Sequence, residues 1–249
     1  MRSSRSGFYR RKDGTERIWL QPADIEAIAE DSLLKLGLFP TEELPAVDIE
    51  RVVQGLGVRM DQYADLDSSV LGQTEFYADA PPRIFINRDL SGAIDEDQTP
   101  PGIRGRWRAT IAHEAVHVMI HRVLFDVNQD QGSFFRVEKP SEPRRLMRCL
   151  KKNVLFRGGG GSDWREVQAN MGMAALLMPQ GLFRHLSGKV VAHHALATET
   201  LCVGTVESAA LTTEMAALFD VSKQAAGIRL QTLQILSPLG QHRLLHATP

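Results

Sequence analysis

Residues 106–125, RWRATIAHEAVHVMIHRVLF, decide how the rest of the chain is read. Trp107, Ile111, Ala112, Ala115, Val118 and Met119 spread apolar side chains around much of a helix, so the helix expected to begin near Gly105 should be buried. Inside it lies His113-Glu114-Ala115-Val116-His117, an H-E-x-x-H motif. Four residues make slightly more than one helical turn, so both imidazoles leave one face and can share one cation. Glu114 is placed to take a proton from a metal-activated water. Such a short motif also arises by chance, and the two histidines are then unconnected polar groups. On a buried helix, however, bare imidazoles need partners, which weighs toward a metal.

A catalytic zinc needs a third protein ligand and a position left for water. The extended pattern H-E-x-x-H-x-x-G-x-x-H fails, because Ile120 and Val123 stand where it needs Gly and His. Glu166 is the best candidate on the next strong helix, DWREVQANMGMAALLMP at 163–179. Ala169, Met173 and Leu177 follow it at 3, 7 and 11 positions, so Glu166 should face the interior with them. A carboxylate on a buried stripe calls for a cation. The other reading is a capping box, Asp163-x-x-Glu166, that ties the helix start together. His121, one turn past His117, is expected to support a ligand histidine from behind rather than to bind metal itself.

Outward from these two helices the pattern is mixed. Ile25, Ile28, Ala29, Leu33, Leu34 and Leu36 give a helix stopped by Gly37, and a shorter one is expected at Val47–Gln54. Short β-like runs follow at Val58–Tyr63, Val70–Phe76 and Arg83–Ile86. Helices followed by close short strands predict an α+β fold: a small antiparallel sheet with helices packed on one side. Residues 91–103 read as a loop with Pro100-Pro101-Gly102 as its breaker, and 126–162 as a polar, turn-rich insertion. The remainder, 181–249, reads as a helical region with a helix-turn-helix-like segment at 211–233, Asp220-Val221-Ser222 making the turn.

Composition narrows the class. The chain has 249 residues, 43% of them hydrophobic, and a formal net charge of −1, which argues against global disorder and against a protein built mainly to coat nucleic acid. No apolar run is long enough to cross a membrane. Cys149 and Cys202 cannot form a disulfide scaffold, so a reducing, cytoplasmic setting is expected. Residues 1–17 carry six Lys/Arg with no apolar region behind them, and read as a basic flexible tail rather than a secretory signal.

Several segments, in order, resemble the ImmA/IrrE family of metallo-endopeptidases. ATIAHEAVHVMIH is similar to that family's active-site helix, and EVQANMGMAALLMP to its E-x-x-A-N stretch ending in L-L-M-P. PAVDIERVVQGLGVRMD, IFINRDL and MAALFDVSKQAAGIRLQTL resemble its lead-in helix and first strand, the strand before the active site, and its F-x-V-S…R-L helical segment. The resemblance implies a zincin-like (gluzincin) core over 18–180, with His113, His117 and Glu166 as ligands of Zn2+ (or another divalent ion such as Mn2+) and Glu114 as general base. It further implies cleavage of a regulatory protein, typically a helix-turn-helix repressor of stress-response or mobile-element genes. Two departures stand out: Val116 replaces a small residue before the second histidine, and Gly172-Met173 replace Phe-Ala. The stretch between His117 and Glu166, 48 residues, is also longer than usual.

Weaker signals read blandly. Asp126-x-Asn128-x-Asp130 begins like a calcium loop, but Gly132 comes one place late and Val137 stands where Glu is needed. Gly158–Gly161 lacks the Lys-Ser/Thr of a phosphate loop and reads as a hinge. The basic stretch 136–157, eight Lys/Arg against Glu138 and Glu142, reads as a solvated face or as a flap for an acidic substrate segment. Cys149 has cationic neighbours able to lower its pKa, against the plainer reading of an unreactive thiol. The 211–233 segment offers few groups to DNA beyond Lys223, Gln224, Arg229 and Gln231, so protein packing or docking is favoured over operator binding. A DNA- or protein-binding regulator with a structural or vestigial zinc site is the alternative to the peptidase.

Overall fold

The computed structural model describes residues 7–10, 16–77, 80–95, 101–126, 145–150, 163–194 and 201–238. Strands β1 (Gly7–Arg10) and β2 (Glu16–Trp19) pair antiparallel, Gly7 opposite Trp19 and Arg10 opposite Glu16. The expected flexible tail at 1–17 is therefore corrected over its described residues: aromatic and β-branched residues on both arms favour a hairpin. Ile18 is buried. Helix α1 (Pro22–Lys35) starts with proline, and the Asp24 side chain accepts the Gln21 N–H at 3.2 Å. It buries Ile25, Ala29 and Leu33 and ends before Gly37, whose φ of +67° needs a residue without Cβ. Helix α2 (Ile49–Gly55) is capped by Asp48, which accepts from the Arg51 N–H.

Strands β3 (Arg59–Ala64), β4 (Val70–Phe76) and β5 (Arg83–Asn87) follow, close to the expected runs. The sheet has four strands in the order β3-β5-β4-β6, where β6 is Arg145–Leu150. Its pairs are antiparallel except β3 with β5, which run parallel, so the expected all-antiparallel sheet is corrected. The reason is topological: β5 folds back along β4 into the gap beside β3, and thereby takes β3's direction. Strand β6 adds to the reading of 126–162 as a polar, turn-rich insertion, since 145–150 is a strand paired along β4. The calcium-like segment beyond Asp126, the glycine run 158–161 and the rest of the basic stretch 136–157 lie outside the described residues.

After α3 (Arg88–Gly92), helix α4 (Pro101–Val116) starts earlier than expected, because proline is accommodated at a helix's first position instead of breaking it. A π-helical turn, His117–His121, and the short α5 (Val123–Asp126) continue it. Helix α6 (Trp164–Leu177) lies against α4. A Cβ at Gly172 would come 2.6 Å from Val116 Cγ1, so the bulk of Val116 fills the space left by Gly172. Ile111, Ala112, Ala115 and Val116 are wholly buried between these layers.

Helices α7 (Gln180–His193), α8 (Val206–Leu218) and α9 (Lys223–Thr232) complete the chain's described part. Helices α8 and α9 meet at a turn where Asp220 takes φ +49° and the Ser222 side chain accepts the Ala225 N–H. This pair is docked on the rest of the fold. Gly105 of α4 lies so near Ser222 that a Cβ there would sit 2.5 Å from its backbone nitrogen. Arg104 pairs with Asp220 at 2.7 Å, and the Phe183 and Phe219 rings stack with centroids 5.0 Å apart. Arg229, 2% exposed, donates to the Met178 carbonyl at 2.7 Å and to Glu26. Among the described residues, no helix is long and apolar enough to cross a membrane.

Candidate metal centre

The end of α4, its π-helical continuation and the first turn of α6 bring His113, His117 and Glu166 together. Their donor atoms lie within 4.8 Å of one another. His113 Nε2 is 3.1 Å from His117 Nε2 and 3.2 Å from Glu166 Oε2, and His117 Nε2 is 3.4 Å from Glu166 Oε1. Both histidines are fully buried. Asp163 caps α6 by accepting the Arg165 N–H at 3.1 Å and pairs with the Arg165 guanidinium, while Glu166 turns inward to the histidines. The capping-box reading of Glu166 is thus set aside by where its carboxylate points.

Each histidine is held from behind. His113 Nδ1 lies 3.0 Å from Asn170 Oδ1. His117 Nδ1 lies 2.9 Å from His121 Nδ1, so His121 stands behind His117 and its ring does not enter the donor cluster. His121 Nε2 in turn lies 3.2 Å from Gln168 Oε1. Glu114 sits on the sheet side of the helix. Its Oε2 accepts from the Thr74 hydroxyl of β4, and Gly72 lets the strand approach: a Cβ there would be 3.0 Å from Glu114 Oε1.

The electrostatics follow from burial. Burial pushes the Glu114 carboxyl up to about 7, against the charge of His113 and the Thr74 hydrogen bond. Burial likewise holds His117 down to about 4 and His121 down to about 3. Burial opposes charge on His113 and Glu166 too, but their mutual hydrogen bond prevails, raising the His113 pKa and holding Glu166 well below the usual carboxylate range. Two imidazole nitrogens at 3.1 Å cannot both present bare lone pairs. A proton or a metal ion belongs between them. Glu114 Oε1 is buried with no hydrogen-bond partner and Glu166 Oε2 meets only His113 Nε2 at 3.2 Å, which fits a site built to receive a cation and a water. Two imidazoles and one carboxylate are the donor chemistry of a zinc site with one position to spare.

Cys149 of β6 is also fully buried, within 4.8 Å of donor atoms of His113 and Glu114. Burial raises its thiol pKa well above the ordinary value, so the cationic neighbours in sequence do not activate it. Thr74, Asn170 and Gln168 carry the arrangement yet were not singled out by sequence reasoning. Only Asn170 had a signal, as part of the A-N pair beside Glu166.

The fold and site together define a class: an α+β protein with a buried His-His-Glu group able to hold a metal ion. Among known proteins, no family model matches the chain and no curated protein matches it.

Proposed function

We propose that this chain is a zinc-dependent endopeptidase of the ImmA/IrrE type, with a zincin-like core, that cleaves a regulatory protein such as a helix-turn-helix repressor. The observation that carries this reading is the convergence of His113, His117 and Glu166 beside a buried, half-unpartnered Glu114. His113 Nε2, His117 Nε2 and a Glu166 oxygen would hold the ion. Bound zinc would polarise the scissile carbonyl and lower the pKa of the attacking water. Glu114 accepts the water's proton on its unpartnered Oε1 and delivers it to the leaving amine, while the Thr74 hydroxyl keeps the other oxygen fixed. Gly72 holds the β4 backbone close enough to prevent the carboxylate from swinging away.

The DNA-binding alternative loses ground on α9. Arg229, its one arginine, is buried and committed to Met178 and Glu26, so it is not on offer to a phosphate backbone. Zinc per chain, measured by elemental mass spectrometry on wild type, Glu166→Ala and Glu114→Gln, tests the proposal. About one zinc in wild type and Glu114→Gln, and much less in Glu166→Ala, is expected. No zinc in folded, zinc-supplied wild type would overturn it.

A further inference from the structure

Resting on the metal-site reading above, we propose that Gln168 is a positioning residue for the metal: acting through His121, it fixes the tautomer in which His117 offers a bare Nε2 to the ion, and the Ile18 carbonyl of β2 fixes Gln168. The chain of reasoning is a count of protons. Gln168 is 5% exposed, and its Nε2 donates to the Ile18 carbonyl at 3.2 Å. A carbonyl oxygen only accepts, so the amide nitrogen must face Ile18 and the amide oxygen must face the other way. That oxygen lies 3.2 Å from His121 Nε2 and also only accepts, so His121 carries its proton on Nε2.

A neutral imidazole has one N–H, and burial favours the neutral ring. His121 Nδ1 is then a lone pair, 2.9 Å from His117 Nδ1, which must donate to it. The single proton of neutral His117 is thereby placed on Nδ1. Its Nε2 is left bare, facing His113 Nε2 at 3.1 Å and Glu166 Oε1 at 3.4 Å. Moving the proton to Nε2 sets two acceptors against each other somewhere along the line: at His117 and His121, at His121 and Gln168, or at Gln168 and Ile18.

With an ion bound between the two rings, His113 would offer a bare Nε2 in one step, its Nδ1 facing Asn170 Oδ1 at 3.0 Å. His117 needs the relay because its Nδ1 faces another histidine, which accepts or donates equally well. Glutamine suits the relay's end because it is a donor and an acceptor at once. A glutamate there would accept from His121 but place an oxygen against the Ile18 carbonyl.

Two measurements on the full chain test this: zinc affinity by competition with a chromophoric chelator, and side-chain 15N NMR of the histidines in metal-free protein above pH 7. Wild type should show His117 protonated at Nδ1 and bare at Nε2. Gln168→Leu should mix the tautomers and bind zinc roughly 10- to 100-fold more weakly. Gln168→Glu, which retains the acceptor, should bind more tightly than Gln168→Leu. A wild-type His117 protonated at Nε2 overturns the proposal, and so does Gln168→Leu binding zinc as wild type does. If Gln168→Leu fails to fold, the wild-type spectrum and Gln168→Glu decide, equal tautomer mixing in that variant counting against the relay. Wild type that takes up no zinc sinks the metal site itself and the relay's purpose with it. Zinc uptake unaffected at residue 168 sinks the relay alone.

Discussion

Behind α9 and between α4 and α6, this molecule buries charge in two different ways. Behind α9, Arg229 lies 2% exposed with its donors taken up by the Met178 carbonyl and the Glu26 carboxylate. Between α4 and α6, His113, His117 and Glu114 are fully buried and Glu166 is 8% exposed, yet Glu114 Oε1 has no hydrogen-bond partner and Glu166 Oε2 meets only His113. The first region is finished by the protein's own atoms and serves as a fastener. The second is left incomplete, at a cost of about 1–3 kcal/mol per unsatisfied group. Buried charge by itself therefore marks no site, nor does one unpartnered atom, since Arg108 Nε is buried and unpartnered too; converging metal-donor atoms short of partners do.

The largest expected effect separates the regions by function. Glu114→Gln should lower peptide cleavage by about 10²- to 10⁴-fold while leaving zinc content and thermal midpoint near wild type, measured by cleavage of the cognate substrate and calorimetry. Arg229→Met should do the reverse. Leaving the half-buried Glu26 and the Met178 carbonyl unpaired should cost about 1–3 kcal/mol in denaturant unfolding, with zinc per folded chain unchanged. If Arg229→Met loses zinc at full stability, the two regions are not separate in role.

Helix approach gives the next effect. Gly172→Ala should cost about 1–3 kcal/mol, because the added methyl meets the stiff Val116 side chain at 2.6 Å. Val116→Ala in the same chain should recover part of that loss, so a double-mutant cycle with no coupling would disprove the contact.

The metal-free protein should also lose stability in acid. His117 and His121 fall from 6.5 to about 4 and 3 on folding, so between pH 6.5 and 4.5 the unfolded chain binds their protons and the folded chain does not. Glu114, raised from 4.5 to about 7, is protonated in the folded chain alone over that window and opposes one of the two. One net proton remains on the unfolded side, so stability should fall by about 1.4 kcal/mol per unit of acidification. Urea titrations at spaced pH values measure that slope, and a slope of opposite sign would show the histidines to be charged when folded. The smallest effect belongs to the surface: Asp31→Ala, which removes the exposed pair with Lys35, should cost no more than about 0.5 kcal/mol in the same assay.

Much of the ligand helix was legible because its information is local. The apolar surround of 106–125 and the four-residue histidine spacing lie within one element, and Glu166 shares a stripe with Ala169, Met173 and Leu177. Thr74 and Gln168 were not legible. Thr74 reaches Glu114 across 40 positions and Gln168 reaches His121 across 47, and neither residue type announces such a role. Residues 145–150 were read as part of a basic insertion because strand formation there depends on β4 as partner, which charge counts along the chain do not reveal. Pro101 misled for the opposite reason: one residue type both breaks helices and starts them.

The contact between Ile18 and Gln168 joins residues 150 positions apart, and it sets an order of events during synthesis. At about 5–20 residues per second, roughly 8–30 s pass between the emergence of β2 and that of Gln168. For about the last third of that interval, His113 and His117 exist without their carboxylate and without the amide that orients them. Metal capture in the proposed site would thus be a closing event of biogenesis, and a ribosome-bound fragment ending before Glu166 should hold zinc poorly.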